Sequence, residues 1–316
     1  MASAYIFSSP LIKLLSILFI SYGFSYFIAK KLPKGILRLI SMLGVFYALF
    51  TVPWYFPSSI FLRGFTSFFI SWISSFKLVL FAFDQGDLAL SNTFTDFVAV
   101  AVFPLKIKSR SSSSPSSSYS SLLRNILLIL VLSTIIFFFR DITLSFSTLC
   151  VVIFCDLCTM PQFELIPLIN QPHKSTSLQV FWGKRWNRIS SNVLRETIYD
   201  PINAAMKRYL DDNNGGFARV LALIMALIVS GIMHEIMFYH MTCGMKPTWE
   251  VTYFFVLQGF CMALEIGIKR LWVRTLGWST PHPILSVGLT LGFVLTSSYW
   301  LLVLPVWRIA GMGCDL

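Results

Sequence analysis

Long apolar runs alternate along the chain with short polar connections. Eight runs reach or approach the roughly 20 residues that a helix needs to cross a hydrocarbon layer of about 30 Å. They are Leu11–Ala29, Ile36–Val52, Gly64–Phe83, Leu122–Phe139, Ile142–Cys158, Phe217–Tyr239, Trp249–Ile268 and Pro283–Leu304. The runs are continuous rather than alternating, which argues against the period-2 pattern of a membrane β-barrel. In lipid a backbone must satisfy its own N–H and C=O groups, so continuous apolar runs fold as helices. The pattern predicts an all-α fold, a polytopic membrane helical bundle of about eight transmembrane helices formed by residues 1–316 as one membrane-embedded domain.

The connections carry pattern of their own. Phe94–Phe103 is apolar but about half the length of a span, which suits an interfacial or re-entrant segment. Residues 109–121 are dominated by serine and read as a flexible linker. The connection 160–216 is the longest. In it Asp200 is placed to cap a helix that starts at Pro201, and Ile202, Ala205, Met206, Tyr209 and Leu210 then recur on one stripe. Lys207 and Arg208 lie on the other side and Gly215-Gly216 ends the segment, which predicts an interfacial helix on the cytosolic membrane surface.

Composition supports the membrane reading, since 56% of residues are hydrophobic and only 12% are charged, about half the usual charged share of soluble domains. The net charge of +11 does not point to nucleic acid, because the basic residues sit in short loops rather than along one face. Of the 25 lysines and arginines, 19 fall in the first, third, fifth and seventh connections when the flanking Arg38, Arg124 and Arg219 are counted with them. Positive charge is retained in the cytosol, so these loops are expected to be cytosolic and both termini lumenal. The run Leu11–Ala29 is followed by Lys30-Lys31 rather than by a small-residue cleavage site, and is read as a retained first span. Six cysteines, mostly in or beside apolar runs, do not imply a disulfide framework of the small secreted kind. Cys150, Cys155 and Cys158 lack a matching histidine pair and read as packing residues, not a metal site.

Of the four histidines only His234 lies deep in an apolar run, and an ionisable group there is costly unless it faces the bundle interior or a wet cavity. Helical spacing puts Leu227, Ser230, Gly231, Met237 and Phe238 on or near its face. A histidine that merely bonds a neighbouring helix is the other reading. Glu235 points about 100° away around the helix and need not be its partner. No H-E-x-x-H pattern supports zinc.

Upstream, Phe181–Asn187 reads FWGKRWN, combining interfacial aromatics with a basic cluster. Lys184, Arg185, Arg188 and Arg195 suit the phosphates of an acyl carrier such as coenzyme A, although topology alone also accounts for them. Asn187 by itself is ambiguous, because asparagine commonly caps helices and fills turns. Lys77, a charge within WISSFKLVLFAF, has a structural or pathway role rather than a catalytic one.

With FWGKRWN followed 47 residues later by the His234-Glu235 pair in SGIMHEIMFYH, the chain closely resembles plant wax synthases of the membrane-bound O-acyltransferase superfamily. WISSFKLVLFAF is similar to a segment of the same proteins, whereas FDQGDLALS departs from the glycine-proline turn expected there. The resemblance implies transfer of a long acyl chain from acyl-CoA to a fatty alcohol in the endoplasmic reticulum membrane, giving a wax ester. It implies His234 as general base, Asn187 as its companion, and neither metal nor prosthetic group. A sterol or triterpene alcohol is the alternative acceptor, and a multipass transporter is the reading from a different class.

Overall fold

A computed structural model describes residues 2–56, 59–107, 160, 163–210, 216–274 and 282–310. The Leu122–Phe139 and Ile142–Cys158 runs, the serine-rich stretch and Cys150, Cys155 and Cys158 lie outside these residues. The chain folds as two units, Met1–Ile166 and Pro167–Leu316. Five helices among the described residues have the length and apolarity to cross a membrane: Lys13–Lys31, Ile60–Ala82, Gly216–Met241, Glu250–Leu271 and Pro283–Arg308.

In the first unit, α1 (Ala2–Gly23) continues through a π turn and a 3₁₀ turn to Lys31. The run Ile36–Val52, expected as one span, is instead two helices, α2 (Ile36–Ser41) and α3 (Leu43–Thr51). The break has a local cause. The Ser41 hydroxyl donates to the Arg38 carbonyl at 2.7 Å, and the Met42 N–H turns to Leu39 O at 3.1 Å instead. Side-chain back-bonding of this kind bends a helix.

Arg38 is itself buried and gathers carbonyls that helix ends leave open. It donates to Lys30 O (3.3 Å), Leu32 O (2.7 Å) and Phe81 O (3.1 Å). Gly35 adds its N–H to Ala82 O at 2.8 Å from a backbone φ of +114°, a conformation that glycine alone adopts cheaply.

Ile60–Ala82 combines α4 (Ile60–Thr66), a π turn and α5 (Ser75–Ala82), and is the most buried of the five long helices. Its serines explain why. Ser71 donates to Leu49 O at 2.8 Å and Ser74 meets the Tyr22 hydroxyl at 2.9 Å. Beyond α5, Asp84 takes a left-handed φ of 63° and the Gln85 N–H returns to Leu80 O at 2.9 Å. FDQGDLALS thus closes its helix with an aspartate cap rather than a glycine-proline turn.

After α6 (Gly86–Ala89), Phe94–Val102 forms α7, with Phe97, Val100 and Ala101 fully buried in this unit. The segment of uncertain placement is therefore a short core helix. Lys77 serves it, donating to Val100 O and to Phe103 O (2.9 Å) at its C-terminal end. The cation satisfies terminal carbonyls and sits at the negative end of the helix, which is the structural role expected of it. Strands β1 (Leu105–Ile107) and β2 (Phe163–Leu165) pair antiparallel, Leu105 opposite Leu165.

The second unit opens with a loop and the single turn α8 (Leu178–Val180), capped by Ser177. A π turn, Phe181–Arg185, leads to the helical stretch α9 (Arg188–Leu194), a second π turn (Arg195–Tyr199) and α10 (Asp200–Tyr209). Asp200 is not a cap. Helical backbone runs through it (φ −64°, ψ −44°), and the π turn just before Pro201 absorbs the hydrogen bond that proline cannot make. On α10, Ile202 and Met206 are half-buried whereas Ala205, Tyr209 and Leu210 stay exposed, so much of the predicted apolar stripe is not covered by protein.

Long helices α11 (Gly216–Met241) and α12 (Glu250–Arg274) then pack side by side, followed by α13 (Pro283–Ser298), a π turn and α14 (Leu304–Ala310). These match the expected spans Phe217–Tyr239, Trp249–Ile268 and Pro283–Leu304 to within a few residues.

Candidate active site

The α11/α12 crossing sets the site. A Cβ at Gly231 would lie 3.0 Å from Thr252 Cα and 3.3 Å from Phe255 Cβ, so only glycine permits this approach. Small residues at a crossing are how membrane helices gain packing without a hydrophobic drive between them. Glu235 locks the same end. Its carboxylate accepts from Trp249 N (2.8 Å), Thr252 N (3.3 Å) and the Thr252 hydroxyl (3.3 Å). The MHE glutamate therefore caps α12 from the neighbouring helix, taking the two backbone donors that a capping box satisfies. It is engaged there and is not the histidine's partner.

His234 lies one turn beyond Ser230. Its Nδ1 is 2.7 Å from Ser230 O, and a carbonyl can only accept, so Nδ1 carries the proton. In the neutral ring Nε2 then holds the lone pair. The imidazole lies nearly flat on Phe255, with ring centres 4.3 Å apart and planes at 28°.

FWGKRWN reaches the same aromatic group. Trp182 meets Phe255 at 5.6 Å and Phe254 at 5.8 Å, and its indole N–H donates to Gln258 Oε1 at 3.1 Å. The histidine and the motif 47 residues before it are thus joined through the ring of Phe255. The rest of the motif is held by its own backbone. Trp186 N donates to Phe181 O (2.8 Å) across the π turn, and the two rings stack at 5.6 Å and 12°. Asn170 N donates to Arg185 O and Arg188 N to Leu168 O, anchoring the motif on the loop before it.

Asn187 sits in left-handed backbone (φ 41°, ψ 60°) and caps α9, its Oδ1 accepting from Ser190 N at 3.3 Å. Asparagine tolerates both duties. Its Nδ2 has no partner among the described residues, which leaves a donor for a ligand.

The four basic candidates differ in what they touch. Arg185 donates to Asn170 O (3.4 Å) and Gln171 O (3.0 Å), so it holds the loop. Arg195 pairs with Asp200 at 3.8 Å, both well exposed, an interaction worth about 0–1 kcal/mol. Lys184 and Arg188 meet no side-chain partner among the described residues, the first exposed and the second half-buried.

Sequence reasoning missed Gln258, Phe255 and Glu265. The signal was available, since Gln258 and Glu265 are polar residues seven apart in an apolar run and therefore share a helix face.

Comparison with known proteins decides the family. The sequence profile of the membrane bound O-acyl transferase family matches residues 165–257. Acyl-CoA--sterol O-acyltransferase 1 of Arabidopsis thaliana is 34% identical over 321 residues, covering 92% of this chain and 88% of that protein. Probable long-chain-alcohol O-fatty-acyltransferase 1 of the same plant is 34% identical over 311 residues, with coverages of 92% and 88%. Probable long-chain-alcohol O-fatty-acyltransferase 9 is 33% identical over 310 residues, with coverages of 93% and 89%. The chain belongs to the membrane bound O-acyl transferase family. As a membrane bound O-acyl transferase it is an integral membrane protein, and the profile spans both FWGKRWN and His234.

Proposed function

We propose that the protein transfers a long acyl group from acyl-CoA to the hydroxyl of a long-chain fatty alcohol, giving a wax ester and free coenzyme A. The observation that carries this reading is the fixed tautomer of His234, whose ring rests on Phe255, the aromatic that Trp182 of FWGKRWN also meets. Nε2 takes the alcohol proton as the alcohol oxygen bonds to the thioester carbonyl carbon. The carbonyl oxygen becomes an oxyanion, to which Asn187 Nδ2 donates. The C–S bond then breaks, and the departing thiolate receives the proton from the imidazolium. Lys184 and Arg188 pair with the phosphates of the carrier, with Arg195 beside them and Arg185 holding the loop. Apolar walls exclude water, the competing nucleophile.

A sterol or triterpenol acceptor is the second reading, favoured by the sterol acyltransferase that is as similar to this chain as the long-chain-alcohol enzyme. We place the basic connections in the cytosol and both termini in the lumen of the endoplasmic reticulum. Cys243, just beyond the end of α11 opposite the basic segment, is disulfide-bonded, which supports an oxidising compartment on that side.

The test uses membranes of a host without its own neutral-lipid acyltransferases, given labelled acyl-CoA and separate panels of fatty alcohols, sterols and triterpenols. Wax ester formation is expected. Sterol or triterpenol esters alone would replace the first acceptor with the second, and no ester from any panel would overturn acyl transfer.

A further inference from the structure

Gln258 is an amide in an apolar helix with no exposed surface, and none of the chemistry above uses it. Both ends of its side chain are engaged. Oε1 accepts from Trp182 Nε1 (3.1 Å) and Nε2 donates to Ser297 Oγ (2.9 Å), whose hydroxyl in turn donates to Phe293 O (2.7 Å). The chain of bonds joins the FWGKRWN segment, α12 and α13. A buried amide without partners is costly, so this position is only tolerable with the network complete.

Its place on α12 says what the network is for. Phe255, Gln258, Met262 and Glu265 fall at i, i+3, i+7 and i+10, one stripe of the helix. Phe255 carries the His234 ring, Gln258 takes the Trp182 N–H, Met262 packs with Leu178 and Phe181, and Glu265 accepts from Leu178 N at 2.9 Å. The segment 178–182 is therefore fixed on this stripe at two polar points about 10 Å apart along the axis. At the upper point, the ring whose N–H is pinned to Gln258 is also the ring that meets Phe255. Turning Trp182 about its side-chain torsions breaks the hydrogen bond and frees Phe255 together.

We infer that Gln258 is a positioning residue of the acyl-transfer site, holding the Trp182 indole against Phe255 and thereby the surface on which His234 rests. The inference depends on His234 acting as the base. It lies one residue beyond the stretch that the family profile covers.

The test compares Gln258→Leu, Gln258→Glu, Trp182→Phe and the Trp182→Phe/Gln258→Leu pair, with His234→Gln alongside, as turnover per folded molecule. Misplacement of about 1 Å costs up to about 100-fold, so Gln258→Leu is expected to lower kcat by about 10- to 100-fold while KM for both substrates stays within about threefold. Gln258→Glu keeps an acceptor for the indole and recovers most of the rate. Trp182→Phe keeps a ring but loses the donor, so it matches Gln258→Leu, and the pair is no slower than either single variant. Wild-type kcat in Gln258→Leu, or a multiplied loss in the pair, overturns the inference. Should Gln258→Leu fail to accumulate, Trp182→Phe against Gln258→Glu decides: equal turnover by the two at the wild-type rate overturns it. If His234→Gln keeps full turnover, the base assignment falls. If His234→Gln is inert and Gln258→Leu is fast, only the positioning role falls.

Discussion

Gly231→Ala puts one methyl group into the tightest approach of α11 and α12. The new Cβ would lie 3.0 Å from Thr252 Cα, 3.2 Å from Thr252 O and 3.3 Å from Phe255 Cβ. The first two are backbone atoms, so no rotamer change relieves them. Ordinary carbon contacts fall near 3.5–4.0 Å, and the helices must part by roughly 0.5–1 Å. Overpacking of this kind costs about 1–3 kcal/mol. Phe255 moves with α12, so the stacked His234 loses its support, and turnover per molecule is expected to fall by about 10- to 100-fold. Gly259→Ala is the control. Its Cβ meets Leu227 Cδ1 at 3.4 Å, the end of a flexible side chain, and stability is expected to change by less than about 1 kcal/mol. Thermal unfolding of detergent-purified protein and acyl-transfer rate are measured on the same preparations. The reasoning is refuted if Gly231→Ala matches wild type in both, or if Gly259→Ala is the more damaging of the two.

Three further expectations follow from the site. His234→Gln keeps a hydrogen-bonding side chain but removes the proposed base, so acyl transfer is expected to fall by about 10² to 10⁴ in protein of normal abundance; retained turnover would assign the base elsewhere. Lys184→Glu together with Arg188→Glu raises KM for acyl-CoA and leaves KM for the alcohol nearly unchanged, and equal shifts in both would assign these charges to topology. A tag in the 167–175 loop is cleaved by protease added to intact, correctly sided microsomes, and its protection alongside cleavage of a cytosolic control would reverse the orientation.

Among the described residues the long uniform runs are the most legible part, because lipid leaves a continuous apolar segment little choice but a helix. Legibility failed where one residue competes with the run. Ser41 diverts a single carbonyl and divides Ile36–Val52, and hydropathy contains no term for that bond. Asp200-Pro201 looked like a helix start because both residues favour one, yet a π turn lets the helix pass through them. At the site, His234 stands out by residue type and by its depth in an apolar run, and Asn187 by resemblance alone. Their hydrogen bonds to Ser230 and Ser190 are local, but the ring that meets His234 from the neighbouring helix, and the amide that holds Trp182 against that ring, depend on tertiary packing. Phe255 therefore emerges only from the fold, while Gln258 is legible as a polar position in an apolar run but not as the partner of Trp182.

The bond that orients His234 runs to Ser230, four residues back on the same helix. The tautomer of His234 is thus set within one rod, while the seat of its ring depends on Phe255 across the helix crossing. Changes to walls away from Phe255 leave both in place, which on the proposed chemistry gives a lineage room to exchange a straight alcohol for a fused-ring one at a distance from the reacting atoms.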